Sequence, residues 1–176
     1  MLQGKLVRLR PIERADLPNY VRWFADPEVL RYFGNYLPLS LAQEERWYER
    51  QLDSGSINFA VEYQGRHVGG AGFAHIDHRN QNAEVGLVIG EKDLWDRGLG
   101  QDTLATLVDY GFAYLNLHRI YLRVFAENKR AIHAYEKVGF REEDRFREAE
   151  WRHGRWHDLC FMSILRREWE HRQQEG

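Results

Sequence analysis

Apolar and polar positions change their spacing several times along this chain, and each change marks an element. Residues 5–9 alternate basic and apolar side chains, the two-residue period of a strand. From 11 to 24 the spacing lengthens to three and four, with Leu17, Tyr20, Val21 and Phe24 on one helical face, until Asp26-Pro27 ends the run. Residues 30–39 are irregular and aromatic, and Ser40 stands where it can cap a second helix reaching Leu52. Residues 58–63 and 67–76 read as strands around a Gln64-Gly65-Arg66 hairpin turn, and 83–90 as a third strand after a polar turn. Residues 91–96 read as a loop. Helical spacing resumes at Gly98, with Leu104, Leu107, Val108, Gly111, Phe112 and Leu115 on one face. A branched and aromatic strand spans 119–125, and a helix spans 128–138 up to a C-capping Gly139. Residues 141–150 and 156–165 pair around His153-Gly154-Arg155.

This order, β-α-α-β-β-β-α-β-α-β-β, predicts an α+β fold with one mixed sheet and helices on both faces. No linker, repeat or low-complexity tract interrupts it, so residues 1–176 are read as a single domain. Composition then narrows the function. With 43% hydrophobic and 30% charged residues the chain has an ordinary globular make-up. No run approaches the ~20 apolar residues of a membrane helix, so no membrane partner is expected. A formal net charge of −2 speaks against nucleic-acid binding. The lone cysteine, Cys160, excludes an intrachain disulfide, and with no apolar leader at residues 1–10 it points to a cytoplasmic protein.

The sharpest chemical feature is the strand 83–90, a short loop, and then Gly98-Leu99-Gly100 at a helix start. Small residues let main-chain N–H groups approach an anion there, and the helix N-terminus adds unsatisfied donors and a favourable dipole. A Walker loop is excluded, because Gly100 is followed by Gln101-Asp102 rather than Lys-Ser/Thr. A dinucleotide fingerprint is excluded by Thr103, where a third small residue would stand. Further on, Asn128 can cap a helix on which Tyr135 shares a face with Ala131 and Val138. Taken singly, these features have ordinary explanations as a turn, a cap and a core residue.

Together, at this order and spacing, they resemble the GNAT superfamily of N-acetyltransferases. Its pattern Gln/Arg-x-x-Gly-x-Gly/Ala reads here as Trp95-Asp96-Arg97-Gly98-Leu99-Gly100, and the stretch from Asn128 to Phe140 is similar to its second cofactor-contacting helix. The run from Asp109 to Tyr121 and the tail from Trp151 to Trp169 are similar to two branches, which acetylate ribosomal-protein N-termini and spermidine. The resemblance spans nearly the whole chain. It implies a GNAT-like domain with a central mixed, mostly antiparallel twisted sheet, and acetyl-CoA as co-substrate. Leu87, Val88 and Ile89 would align the pantetheine arm, with the Val88 N–H near the acetyl oxygen. The segment Trp95, Asp96, Arg97, Gly98, Leu99, Gly100 and Gln101 would hold the pyrophosphate. Asn128 and Ala131 would lie on the pantetheine side, and Tyr135 would donate to the departing thiolate. A phenol of pKa ~10 facing a thiol of ~8.5 makes full proton transfer ~2 kcal/mol uphill, so a hydrogen bond is the larger part of that role.

Two departures bear on the acceptor. Arg123 stands where some protein-N-terminal acetyltransferases carry a glutamate base, and residues 31–37 lack the carboxylates that spermidine enzymes place there. Glu84 is the first candidate base and Glu127 the second. A neutral aromatic entrance formed by Tyr32, Phe33, Tyr36 and Trp151 favours a peptide N-terminus as acceptor, with a polyamine or amino-sugar second. Cys160 falls in a predicted buried strand, which favours direct amine attack over an acyl-cysteine. His75, Asp77 and His78 sit in a polar turn without a third ligand signal, so no metal is expected. A homodimer is an open expectation, and a non-catalytic CoA-binding regulatory module is the rival class.

Overall fold

The computed structural model describes residues 1–33 and 37–175. Among them, β1 (Leu2–Gln3), β2 (Arg8–Arg10), β3 (Ile57–Tyr63), β4 (Arg66–Asp77), β5 (Asn82–Ile89), β6 (Arg119–Phe125), β7 (Arg141–Arg152) and β8 (Arg155–Leu165) form one sheet. Its order is β1-β2-β3-β4-β5-β6-β8-β7. Every neighbouring pair is antiparallel except β5 and β6. Helices α1 (Leu17–Trp23) and α2 (Leu41–Asp53) cover one face through Leu17, Tyr20, Trp23, Phe24 and Trp47. Helices α3 (Leu99–Ala113) and α4 (Lys129–Val138) cover the other, where the larger core gathers Phe73, Leu104, Leu107, Phe112, Ile120 and Ile132. The α+β sheet with helices on both faces is thus as the spacing predicts.

The parallel join is short. Asn82, Ala83 and Glu84 pair with Arg119, Ile120 and Tyr121. Beyond it β5 continues along β4 to Ile89, while β6 continues along β8 to Phe125. The two strands therefore part after Glu84, and residues 85–89 present an unpaired main-chain edge to the opening. Packing of α1 at the end of β5 depends on Gly90, where an added Cβ would lie 2.1 Å from the Trp23 ring. Next to it Glu91 is buried and gripped by Arg22, Arg66 and the Trp23 indole N–H.

Three local differences have clear causes. The first helix opens as a 3₁₀ turn over Arg14–Asp16 and becomes α-helical only at Leu17, because Pro18 lacks an N–H and fits only a first turn. The expected strand over 5–9 is interrupted: the main-chain N–H groups of Lys5, Leu6 and Val7 donate to the Asp102 carboxylate on α3 at 3.0, 2.7 and 2.9 Å. A final helix, α5 (Arg166–Glu175), follows β8 with little amphipathic pattern. It is held by Trp169, whose indole donates to Asp109 Oδ1 at 2.6 Å and packs on Phe112.

Candidate active site

The glycine turn builds a donor cradle. Gly98 caps α3 with φ +80°, a conformation that glycine adopts without a Cβ penalty, and Asp96 just before it is also left-handed at +61°. The Asp102 N–H donates to Gly98 O, so the N–H groups of Leu99, Gly100 and Gln101 precede the first intrahelical bond and are left for an anion. Leu99 itself is buried, so it offers main chain only. A Cβ on Gly100 would sit 3.6 Å from Leu87 and 3.9 Å from Ile89, which places this helix start directly over β5. Arg130 of α4 pairs with Asp96 at 3.1 Å and lies over the Trp95 ring at 5.3 Å, adding positive charge beside the turn. Arg97 is exposed there too.

The open edge of β5 supplies the second part. Gly90 N–H donates to Val68 O, and the register from Gly69↔Ile89 to Ala74↔Glu84 is unbroken. Strand alternation then directs the Val88 N–H into the β4 ladder and those of Leu87 and Ile89 into the opening. The Ile89 carbonyl agrees, since it accepts from Trp95 Nε1 at 2.8 Å rather than from β4. This corrects the expectation for Val88: the main-chain donors free for a ligand belong to its two neighbours. Opposite them, Asn128 caps α4 by accepting from the Ala131 N–H at 3.3 Å, which leaves its amide NH₂ for a ligand. Tyr135 is half-buried two turns along, and burial pushes its hydroxyl up, so it stays protonated as a donor.

The third part is a cavity of about 870 Å³ between α1, α2 and the faces of β3, β4 and β5. Tyr20, Phe24, Phe33 and Trp47 wall it, and Glu84, Gly86 and Val88 bring it to the edge of β5. Phe33 stacks on Phe24 at 5.1 Å as part of this wall. Tyr32 packs instead on Phe125 of β6 at 5.7 Å. Trp151 is 56% exposed at the tip of the β7–β8 hairpin against Trp156, outside the cavity lining. Tyr36 lies outside the described residues.

Among the described residues two carboxylates line this cavity together with Arg46, Arg50 and Arg123, which corrects the expectation of a neutral entrance. Glu84 is engaged by Arg123, Nε to Oε1 at 2.7 Å and Nη2 to Oε2 at 3.2 Å, with His75 Nε2 3.7 Å away. Both of its oxygens are occupied, so its case as a free base weakens. The other is Glu44 on α2. Its residue is 2% exposed, and among the described residues it has neither hydrogen bond nor ion pair through its side chain. Burial pushes its carboxyl up from the ordinary carboxylate range. Pattern alone offers one signal for it: Glu44 shares the three- and four-residue spacing of Trp47, Tyr48 and Gln51, the inward side of α2. Glu127, the second candidate base, pairs with Arg155 and His157. Asp77 accepts from the turn N–H groups of Arg79 and Asn80, and among the described residues no three potential metal ligands converge. Cys160 is buried in β8.

An anion cradle, an open strand edge able to pair with an amide-bearing arm, and an adjoining aromatic cavity suit an enzyme that transfers an acyl group from a pantetheine thioester. Residues 7–141 match the acetyltransferase (GNAT) domain family, and the chain belongs to it. It is an acetyl-CoA-dependent N-acetyltransferase. It is 30% identical over 164 residues to spermidine N(1)-acetyltransferase of Escherichia coli K12, covering 93% of this chain and 88% of that protein. It is also 30% identical over 124 residues to the putative ribosomal N-acetyltransferase YdaF of Bacillus subtilis 168, covering 70% and 67%. The crystal structure of spermidine N-acetyltransferase from Vibrio cholerae with CoA and spermine superposes with a TM-score of 0.89 at 29% identity, covering 95% of this chain and 99% of that one.

Proposed function

We propose that the acceptor is a small-molecule primary amine of the di- and polyamine class, acetylated by direct attack while both substrates are bound. The observation that carries this reading is the Glu44 carboxylate, unpaired among the described residues, inside an aromatic cavity that reaches the β5 edge. A cationic amine compensates such a group, whereas an uncharged ligand leaves its desolvation cost in place. The spermidine acetylated by the relatives falls in the same class. A peptide N-terminus is the second reading, favoured by the likeness to the ribosomal enzyme.

The N–H groups of Leu99, Gly100 and Gln101 hold the pyrophosphate, and those of Leu87 and Ile89 align the arm and polarise the acetyl carbonyl. One well-placed donor of that kind lowers the barrier by about 3 kcal/mol. The thioester supplies an activated acetyl group. The acceptor nitrogen, once deprotonated, forms the C–N bond as the C–S bond breaks. Tyr135 then donates a hydrogen bond to the sulfur, which takes up a proton to leave as a thiol. The ammonium proton leaves through the cavity mouth, where the imidazole of His75 stands beside the Glu84–Arg123 pair.

The test incubates the protein with acetyl-CoA and, in turn, short diamines, spermidine, an amino-sugar and an N-terminal peptide, reading the acetyl mass increment. Acetylation of the small amines at a kcat/KM well above the peptide's is expected. Tyr135→Phe should lower that kcat about tenfold to a hundredfold, the worth of one hydrogen bond to a charged group. Selective acetylation of the peptide would transfer the assignment to the second reading.

A further inference from the structure

We infer that Glu44 is a specificity-determining subsite for one positive charge of the acceptor, so that the preferred substrate is a diamine whose second ammonium rests on this carboxylate. The inference rests on the small-amine reading above and deepens it. Glu44 is buried at 2% exposure, lines the cavity and, among the described residues, makes no ion pair. A carboxylate in that position is costly to keep ionised, and a bound ammonium removes the cost through a charge-assisted hydrogen bond. Its surroundings suit an alkylammonium. Tyr20 and Trp47 line the same cavity, with their rings 6.2 Å apart, and aromatic faces attract such cations while their bodies cover the methylene chain.

The other charged groups facing the cavity set the number of cations. Glu84 is already neutralised by Arg123, and His75 stands at the mouth. Arg46 and Arg50, one turn apart on α2, line its rim, and among the described residues neither has a carboxylate partner. A chain with a third ammonium would bring it against these guanidinium groups. One cation beyond the reacting amine fits; additional ones are opposed.

The experiment compares kcat/KM for a terminal diamine, the monoamine of equal length and spermine, in wild type, Glu44→Gln and Glu44→Asp. Wild type should prefer the diamine over the monoamine by about tenfold to a hundredfold, the worth of one charge-assisted hydrogen bond, and over spermine as well. Glu44→Gln should bring the diamine-to-monoamine ratio near one, and Glu44→Asp should keep part of the preference. In parallel, the diamine alone should raise the thermal midpoint of the wild type but not of Glu44→Gln. A diamine-to-monoamine ratio unchanged in Glu44→Gln, or a wild-type preference for spermine over the diamine, would overturn the subsite. If no amine is turned over, the acceptor reading fails. The thermal shift still decides whether Glu44 binds the diamine.

Discussion

A buried carboxylate without a counter-ion is a liability to the folded chain, and among the described residues Glu44 has none. Its folded-state pKa lies above its unfolded value, so its protonated form is the one that folding favours. Its contribution to stability is fully present below the unfolded value of about 4.3 and is lost as pH rises through the raised folded value. At pH 8, well above the unfolded value, the wild-type side chain is therefore a net cost. Glu44→Gln is expected to stabilise the unliganded protein there by about 1–2 kcal/mol, the extra cost of desolvating a charged rather than a neutral polar group. That gain should vanish near pH 4. Calorimetry across this range checks it, and a Glu44→Gln protein less stable than wild type at pH 8 would contradict it. Stability given up at neutral pH by a residue that faces the acceptor cavity is the signature expected of a functional side chain.

At the scale of elements, α3 carries two tasks at one end. Its first turn leaves the Leu99, Gly100 and Gln101 N–H groups for a ligand, while the Asp102 carboxylate reaches back to three N–H groups between β1 and β2. Asp102→Ala should remove those bonds and lower stability by about 2–4 kcal/mol, with faster amide exchange at Lys5, Leu6 and Val7. Unaltered exchange there would show that the hairpin is held by other contacts. The pairing also explains why residues 5–9 read as a continuous strand and are not one: periodicity sees side chains, and the decisive partner lies 95 to 97 residues away. The same limit hides α5, which is polar nearly all round and fixed by the single anchor Trp169. Elements whose signals are local, such as the Ser40 cap on α2 and the Gly98 and Gly139 ends of α3 and α4, are legible from residue order alone.

Across the whole molecule, the site forms where the sheet parts between β5 and β6. The donor half comes from one contiguous stretch, β5 to α4, and its spacing can be read before any fold is known. The adjoining cavity, proposed for the acceptor, is assembled from α1, α2, β3, β4, β5 and Arg123 of β6, segments far apart in the chain. Nothing in the sequence states that Arg123 will occupy both oxygens of Glu84, or that Glu44 will face inward with no partner among the described residues. Ladder parity is another property of the assembled sheet, and it moves the free donors from Val88 to Leu87 and Ile89. Amide hydrogen exchange on the full chain, with and without acetyl-CoA, tests this division of the molecule most directly. Acetyl-CoA is expected to slow exchange at Leu87, Ile89, Leu99, Gly100 and Gln101, leaving α2 to respond to a diamine instead. Protection confined to α2 or to the β7–β8 hairpin, with the β5 edge and the α3 start unaffected, would contradict it.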